Sequence, residues 1–283
     1  MSDKTLLEAN IWVICGTGLV AGLLGSALGV GGGILIVPMF TLVLHLPIHV
    51  AIGSSLVAIV ATSCTASSIY TKTRLTNIKL GLLLETATVP GAIVGALAAA
   101  LLASSLLSGF FGVILIYTAY RMIIQKPAAD GQTFGSPSGH LTASYYDQQL
   151  NKTVTYDVNH IPQGFGASFF GGALSGLLGI GGGIIKVPIM NIVMGLPMKA
   201  AIATSSYMIA ITATVAALIH YNHGHIYPVI IAPLIIGVFI GARVGTRLAQ
   251  RARGVILRRI FGTLLFVTSL LMLLQAVNIY LAT

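Results

Sequence analysis

A ten-residue motif occurs twice in this chain, as GVGGGILIVP at residues 29–38 and as GIGGGIIKVP at residues 179–188. The constant spacing between the copies indicates that the chain consists of two related halves. In each copy a cluster of glycines interrupts a long apolar segment, and glycine permits backbone reversals that other residues resist. Apolar segments broken in corresponding positions of two halves are typical of membrane transport proteins, whose binding sites lie at the breaks.

The composition requires a lipid environment. Of the 283 residues, 56% are hydrophobic and only 7% are charged, and the mean hydropathy is +0.95. Soluble domains carry about 25% charged residues, so a soluble fold could not hide this much apolar surface. The apolar residues form long segments rather than alternating strands, which favours membrane helices over a β-barrel. We therefore predict an all-α membrane protein.

Most apolar segments have the ~20 residues that span a bilayer, but the two that contain the glycine clusters are longer. As one helix, residues 11–44 would be about 50 Å long, against a hydrocarbon core of about 30 Å. We interpret each long segment as a helical hairpin, which gives about five helical segments per half. The predicted hairpins are 11–29 with 34–45 and 166–179 with 184–196. In the alternative, each is a single kinked helix and the halves run parallel.

Two loops between apolar segments are strongly basic. The first contains Lys72, Arg74 and Lys79, and the second contains Arg247, Arg251, Arg253, Arg258 and Arg259. Their counterparts in the other half, residues 223–225 and 103–106, have no Lys or Arg. An odd number of segments per half inverts one half relative to the other, and both basic loops then lie on the same side, as the positive-inside rule requires. We predict two inverted repeats in a multi-pass cell-membrane protein, with cytoplasmic basic loops and both termini outside.

The predicted domains are a first transmembrane repeat at 1–125, a cytoplasmic linker at 126–163 and a second transmembrane repeat at 164–283. The linker is the only long polar stretch of the chain. Within it, residues 142–147 and 153–158 have the composition of two short strands around a turn, which predicts a small β-hairpin. A regulatory role and a plain connecting role for this linker are both open.

The glycine clusters are the first candidate binding residues. A new helix is expected to begin after each cluster, at Ile34 and at Ile184. A helix N-terminus presents free N–H groups and a partial positive charge, so it attracts anions, and glycine lets a ligand approach closely. Two inverted hairpins would bring two such ends together near the membrane midplane. The structural alternative is that the glycines only allow helices to pack closely.

Two of the ionisable residues inside apolar segments are candidates for function. Lys186 takes the place of Ile36 in the second copy of the motif, and an intramembrane Lys indicates a functional site. It could hold an anion, reach toward the membrane surface or pair with a buried carboxylate. Glu85 is the only acidic residue inside a predicted membrane segment. It is a candidate for proton coupling, for pairing with Lys186 or an Arg, or for a place near the membrane interface.

Hydroxyl residues follow each hairpin, and Ser54-Ser55 aligns with Thr204-Ser205 at the same spacing as the glycine motifs. Such hydroxyls could bind the oxygen atoms of an oxyanion, or could form hydrogen bonds between helices. The predicted substrate-binding residues are Gly31, Gly32, Gly33, Ile34, Ser54, Ser55, Gly181, Gly182, Gly183, Ile184, Lys186, Thr204 and Ser205.

The doubled glycine motif, followed by Leu-Pro and then by Ala-Ile-x-[Ser/Thr]-Ser, resembles the sulfite exporter TauE/SafE family over residues 22–122 and 172–272. The resemblance implies a membrane permease for sulfite, sulfoacetate and related small sulfur-containing anions. It carries over the glycine clusters and the Ser/Thr-Ser positions as functional residues. Ser54 departs from the Thr more usual there and keeps the hydroxyl. Lys186 has no counterpart in the family pattern, so its role rests on its charge.

We predict a secondary transporter that moves a small sulfur-containing anion by alternating access between the repeats; an anion channel using the same helix ends is the alternative. We predict no enzymatic activity, catalytic residue, metal site or cofactor, because the scattered His220, His223 and His225 offer no nucleophile–base pair and no metal-ligand pattern. Nucleic acid is not an expected partner, because the basic residues lie beside apolar segments. The expected partners are the anion and the lipid bilayer. The particular anion, the transport direction, the coupling ion and the oligomeric state stay open.

Overall fold

The computed structural model describes residues 3–124, 141–147 and 151–251, with 266–267, 269–270 and 273–274 as short helical pieces. The first half contains helices α1 (Asp3–Leu28), α2 (Gly33–Leu42), α3 (Ile48–Lys72), α4 (Ile78–Leu101) and α5 (Ser104–Ile124). The second contains α6 (Ile161–Leu178), α7 (Gly183–Pro188) with a π-helical continuation (Ile189–Val193), α8 (Met198–Asn222) and α9 (Pro228–Arg251). The first half therefore has the five predicted segments. Most of the region predicted as the last segment of the second half lies outside the described residues.

Among the described residues, five helices are long and apolar enough to cross a membrane. They are Ile11–Leu28, Ile48–Lys72, Ile78–Leu101, Met198–Asn222 and Pro228–Ala249. Large apolar side chains such as Trp12, Leu101 and Ile236 are exposed on the outer surface, where lipid would cover them. The helix α2 has ten residues and a length of about 15 Å, which is too short to cross the hydrocarbon core.

The helix breaks occur at the glycine clusters. Backbone φ is +88° at both Gly31 and Gly32, and it is +79° at Gly181 and +69° at Gly182. These left-handed conformations favour glycine, because other L-residues are strained there. The predicted interruption of both long segments is confirmed. The helices after the breaks begin one residue earlier than expected, at Gly33 and at Gly183.

The chain folds back on itself after each break. Gly32 lies against the backbone carbonyl of Ala21 in α1, and Gly182 lies against that of Gly171 in α6. A Cβ at either glycine would collide with the carbonyl oxygen. The helix α1 starts at Asp3, before the predicted apolar segment. The helix α6 starts at Ile161, inside the predicted linker.

The two halves pack against each other through matching pairs of helices. The helix α1 packs on α9, α4 packs on α6, and α3 packs on α8. Gly91 contacts the carbonyl of Phe169, and Gly241 contacts the carbonyl of Leu19. Each residue of the second contact lies 150 positions from its counterpart in the first. Such reciprocal contacts are typical of elements related by a two-fold axis, and small residues let the helix backbones approach closely.

The predicted β-hairpin is confirmed in the linker. Strands β1 (Ala143–Asp147) and β2 (Lys152–Tyr156) are antiparallel, and Ala143 lies opposite Tyr156. Tyr145 and Tyr156 are buried in one hydrophobic cluster with Met190 and Met194 of the second half. Burial raises the pKa of the Tyr156 phenol to about 12. The hairpin is therefore a packed part of the fold.

Candidate functional site

The two glycine turns meet in the interior of the molecule. Gly33 lies against the carbonyl oxygen of Gly179, and Gly183 lies against that of Gly29. A Cβ at Gly33 or Gly183 would collide with the opposite carbonyl, so the backbones touch without side chains between them. Both turns are buried. The N-terminal ends of α2 and α7 therefore begin side by side.

The first turns of α2 and α7 have the same hydrogen bonds. The carbonyl of Gly32 accepts from the N–H groups of Leu35 and Ile36, at 3.0 and 3.4 Å. The carbonyl of Gly182 accepts from Ile185 and Lys186, both at 3.2 Å. The N–H groups of Gly33 and Ile34 in α2, like those of Gly183 and Ile184 in α7, come before these donors. They are among the N–H groups at a helix N-terminus that have no partner within the helix.

Ser55 and Ser205 connect the two turns. The Ser55 hydroxyl donates to the carbonyl oxygen of Gly179 at 2.9 Å, and the Ser205 hydroxyl donates to that of Gly29 at 3.0 Å. The Ser55 hydroxyl also lies 2.8 Å from the carbonyl oxygen of Ile52 in its own helix, so its one hydrogen is shared between two acceptors. In this conformation both serines therefore hold the turns together, which is the interhelical role left open by the sequence.

The hydroxyls of Thr204 and Ser54, which precede these two serines in the chain, differ in their hydrogen bonding. The Thr204 hydroxyl accepts from the backbone N–H of Asn77 at 3.0 Å, just before α4 begins. The buried Ser54 hydroxyl has no hydrogen-bond partner, and neither has that of Ser175 in α6. Ser175 adjoins the glycine turn, because a Cβ at Gly182 would lie 3.5 Å from its Cβ. Buried polar groups are rarely left unpaired, so these two hydroxyls could serve a ligand.

Lys186, Glu85 and Thr212 form a buried polar cluster across the two halves. The Lys186 Nζ lies 3.5 Å from Glu85 Oε1 and 3.2 Å from Thr212 Oγ1. Thr212 Oγ1 lies 2.8 Å from Glu85 Oε1 and 3.0 Å from Oε2. The lysine and glutamate side chains are only 1% and 6% exposed. The structure therefore pairs Glu85 with Lys186 inside the protein, which is one of the alternatives that the sequence left open.

The charged residues of the cluster have no charged counterparts at the equivalent positions of the repeats. The equivalent positions, 150 residues away, are Ile36 for Lys186, Ile235 for Glu85 and Thr62 for Thr212. Ile36 is fully buried. The Thr62 hydroxyl donates to the carbonyl of Ala58 in its own helix, at 2.9 Å. The place formed by Lys186, Glu85 and Thr212 therefore contains an ion pair, whereas the equivalent positions Ile36, Ile235 and Thr62 carry no charge.

A histidine cluster, His49 with His220, His223 and His225, was missed by sequence reasoning. His220 Nδ1 lies 3.2 Å from His225 Nδ1, and the rings of His49 and His223 lie 5.1 and 5.9 Å from the His225 ring. The pKa of His225 is lowered by partial burial and by the neighbouring His49 and His223. Among the described residues, no group of three or more His, Cys, Asp or Glu is arranged to hold a metal ion. No local pattern links His49 to the other three, because it lies in the other half.

The sulfite exporter TauE/SafE family model matches residues 14–272. The chain belongs to this family. It is 30% identical to the probable membrane transporter protein YunE of Bacillus subtilis over 241 residues, which are 83% of this chain and 86% of that protein. It is 27% identical to a probable membrane transporter protein of Methanocaldococcus jannaschii over 91% of this chain and 93% of that protein. No solved structure matches this TauE/SafE chain significantly.

Proposed function

We propose that this TauE/SafE protein is a secondary transporter that binds a small sulfur-containing anion where its two glycine turns meet. Sulfite, sulfonates and sulfoacetate are the anions that the family name and the site chemistry favour. The proposal rests above all on one observation: Gly33 and Gly183, which begin α2 and α7, are buried against the opposite turn. Two helix N-termini that begin at one buried place favour negative charge there.

Other features of the site support an anion rather than a cation. The unpartnered hydroxyls of Ser54 and Ser175 are available as donors, and Lys186 supplies a positive charge within the same half-helix as Gly183. Glu85 is a carboxylate at this site, and it is already paired with Lys186. The remaining candidates, Thr204, Ser55 and Ser205, contribute by holding the turns and α4 in place.

Alternating access is the transport mechanism that the reciprocal packing supports. The α1–α9 and α4–α6 contacts are equivalent, and glycines line both. Two equivalent interfaces of this kind would allow one repeat to rock against the other around a fixed site. An anion channel would use the same helix ends without a closing motion. Saturable uptake and counterflow distinguish the transporter from the channel.

The experiment is uptake by the purified protein in liposomes, with sulfite, sulfate, thiosulfate, sulfoacetate, taurine and chloride as candidate substrates. We expect saturable uptake of one sulfur-containing anion. Gly182→Leu places a side chain against Gly171 and should abolish uptake, whereas Gly16→Leu enters open space and should not. Size-exclusion chromatography checks that both variants fold, and Lys186→Ala tests the same site without a steric clash. Unchanged uptake in both Gly182→Leu and Lys186→Ala would show that the site lies elsewhere.

A further inference from the structure

The Lys186–Glu85 ion pair is not required by the fold. Removing two charges from water is expensive, and well-packed apolar side chains of similar volume often serve stability equally well or better. This molecule contains the apolar alternative at the equivalent positions 150 residues away, where Ile36 corresponds to Lys186 and Ile235 to Glu85. An ion pair kept on one side only, inside a membrane-spanning bundle, indicates a function for the charges.

The cluster lies next to the proposed anion site. Lys186 is in the first turn of the helix that starts at Gly183, and its backbone N–H donates to the carbonyl of Gly182. Its aliphatic chain passes beside Gly171 of α6, where a Cβ would lie 3.4 Å from the lysine Cγ. Lys186 is therefore the cationic side chain that α7 offers to an anion bound at the glycine turns.

The groups around Glu85 leave Lys186 as its one charged neighbour among the described residues. Lys186 approaches from α7 and Thr212 from α8. The helix α6, which packs on α4, has no titratable side chain. Of the titratable side chains of α8, Tyr207 packs against Gly81, one turn before Glu85 in α4. Lys186 is therefore the charged group whose occupancy can change the electrostatic environment of Glu85.

We propose that Glu85 and the substrate anion compete for Lys186, so that the protein carries one proton with each anion. Without substrate, the ionised Glu85 neutralises Lys186. When the anion binds the ammonium group, one proton from the aqueous side binds a carboxylate oxygen of Glu85, and the proton and the anion leave together on the other side. For a singly charged anion the buried charge then sums to zero in both states, whereas an anion without the proton would leave one uncompensated buried charge. This coupling rests on the proposed transport function.

Thr212 can serve both states of the cluster. Its oxygen lies 2.8 Å from Glu85 Oε1 and 3.0 Å from the carbonyl oxygen of Met208, one turn earlier in α8. Its single hydrogen can donate to the ionised carboxylate or to that carbonyl. Once Glu85 is protonated, the hydroxyl can turn to Met208 and accept from the carboxylic acid. Thr62, the equivalent residue, has only the helical bond to Ala58.

The test measures anion and proton fluxes together in liposomes loaded with a pH-sensitive dye. The wild-type protein should move about one proton per singly charged anion. Its anion affinity should fall about tenfold per pH unit where Glu85 is ionised, because one proton is linked to binding. Glu85→Gln imitates the protonated acid and should keep anion binding and counterflow, lose the pH dependence and reduce the proton flux per anion at least tenfold.

Matched variants separate coupling from folding. The double variant Glu85→Ile with Lys186→Ile copies the equivalent residues Ile235 and Ile36. It should therefore keep or raise the thermal stability and lose anion binding. Thr212→Val should weaken uptake, whereas Thr62→Val should leave it unchanged. If no anion is carried under any condition, the transport function itself fails. If the wild type carries an anion without protons, or if Glu85→Gln keeps the wild-type proton flux per anion, the transport function stands and the coupling is wrong.

Discussion

At the scale of single residues, the missing side chain of glycine decides how the two halves meet. Gly33 and Gly183 each lie against a carbonyl oxygen of the opposite turn, where a methyl group has no room. Both are in α-helical conformation at the start of a helix, so backbone strain is not the reason for glycine there. The reason is the close approach of two backbones, as in other tightly packed membrane helices.

We expect Gly33→Ala to destabilise the protein by about 1–3 kcal/mol, the usual effect of forcing extra volume into a packed interior. The control is Gly16→Ala, because no atom lies within 4 Å of a Cβ at this exposed helical position. That substitution should be neutral or stabilise by up to about 1 kcal/mol, since alanine favours helix more than glycine does. Thermal unfolding in detergent measures both. Equal melting temperatures for the two variants would contradict the contact between the turns.

At the scale of elements, the end of α8 and the loop after it bring three histidines to His49 at the start of α3. The His220 Nε2 lies 3.2 Å from the carbonyl oxygen of Gly176, and the His49 Nε2 lies 3.1 Å from that of Ala99. These bonds connect the ends of α3, α4, α6 and α8. Protonation of this cluster would place like charges close together, because the rings of His49 and His225 are 5.1 Å apart.

The histidine cluster predicts lower stability in acid. The pKa of His225 is lowered in the folded protein by partial burial and by His49 and His223. The unfolded chain therefore binds more protons as the pH falls through the ordinary histidine range near ~6.5, and the free energy of unfolding falls with it. Thermal unfolding between pH 8 and pH 5 should show this loss, and His225→Gln should reduce the slope. An identical slope in both proteins would exclude a contribution from His225.

The β-hairpin is attached to α8 by an ion pair. The Lys199 Nζ lies 2.9 Å from both carboxylate oxygens of Asp147, and the Asp147 side chain is only 4% exposed. Lys199→Met should leave that carboxylate buried without its cation, at a cost of about 1–3 kcal/mol. We expect faster hydrogen exchange in β1 and β2, and Lys199→Arg should restore protection. Unchanged exchange in the methionine variant would mean that the Lys199–Asp147 ion pair does not hold the hairpin.

At the scale of the whole molecule, the reciprocal contacts indicate that a two-fold axis relates the two halves. The orientation of this axis relative to the membrane can be tested. We propose that the axis lies in the membrane plane, because only inverted halves place both basic loops on one side. Equivalent loops of inverted repeats face opposite sides of the membrane. The ends of α3 and α8 provide such a pair: Thr73 and His223 have φ of −89° and −90°, and both are exposed.

A cysteine at Thr73 should be labelled only from the cytoplasm, and a cysteine at His223 only from outside. The native Cys15 and Cys64 are replaced by serine first. Labelling of intact cells with a membrane-impermeant maleimide, before and after permeabilisation, gives the result. Labelling of both positions from the same side would show that the halves run parallel.

The sequence alone determined the features that depend on local chemistry. Low charge and long apolar segments predicted the membrane helices, and the glycine clusters predicted the breaks at Gly31–Gly32 and Gly181–Gly182. Two short stretches with strand composition around a turn predicted the hairpin. The motif also carried the family resemblance. Each of these signals lies within a short stretch of chain, because hydropathy, left-handed φ and turn composition are properties of neighbouring residues.

Only the tertiary structure decided which distant groups meet. It paired Glu85 with Lys186, placed the hydroxyls of Ser55 and Ser205 within hydrogen-bond distance of carbonyls of the opposite turn, and brought His49 to His225. In the sequence, each buried polar residue had several eligible partners at similar depth. The choice among them depends on the packing of one half on the other, which no local pattern encodes.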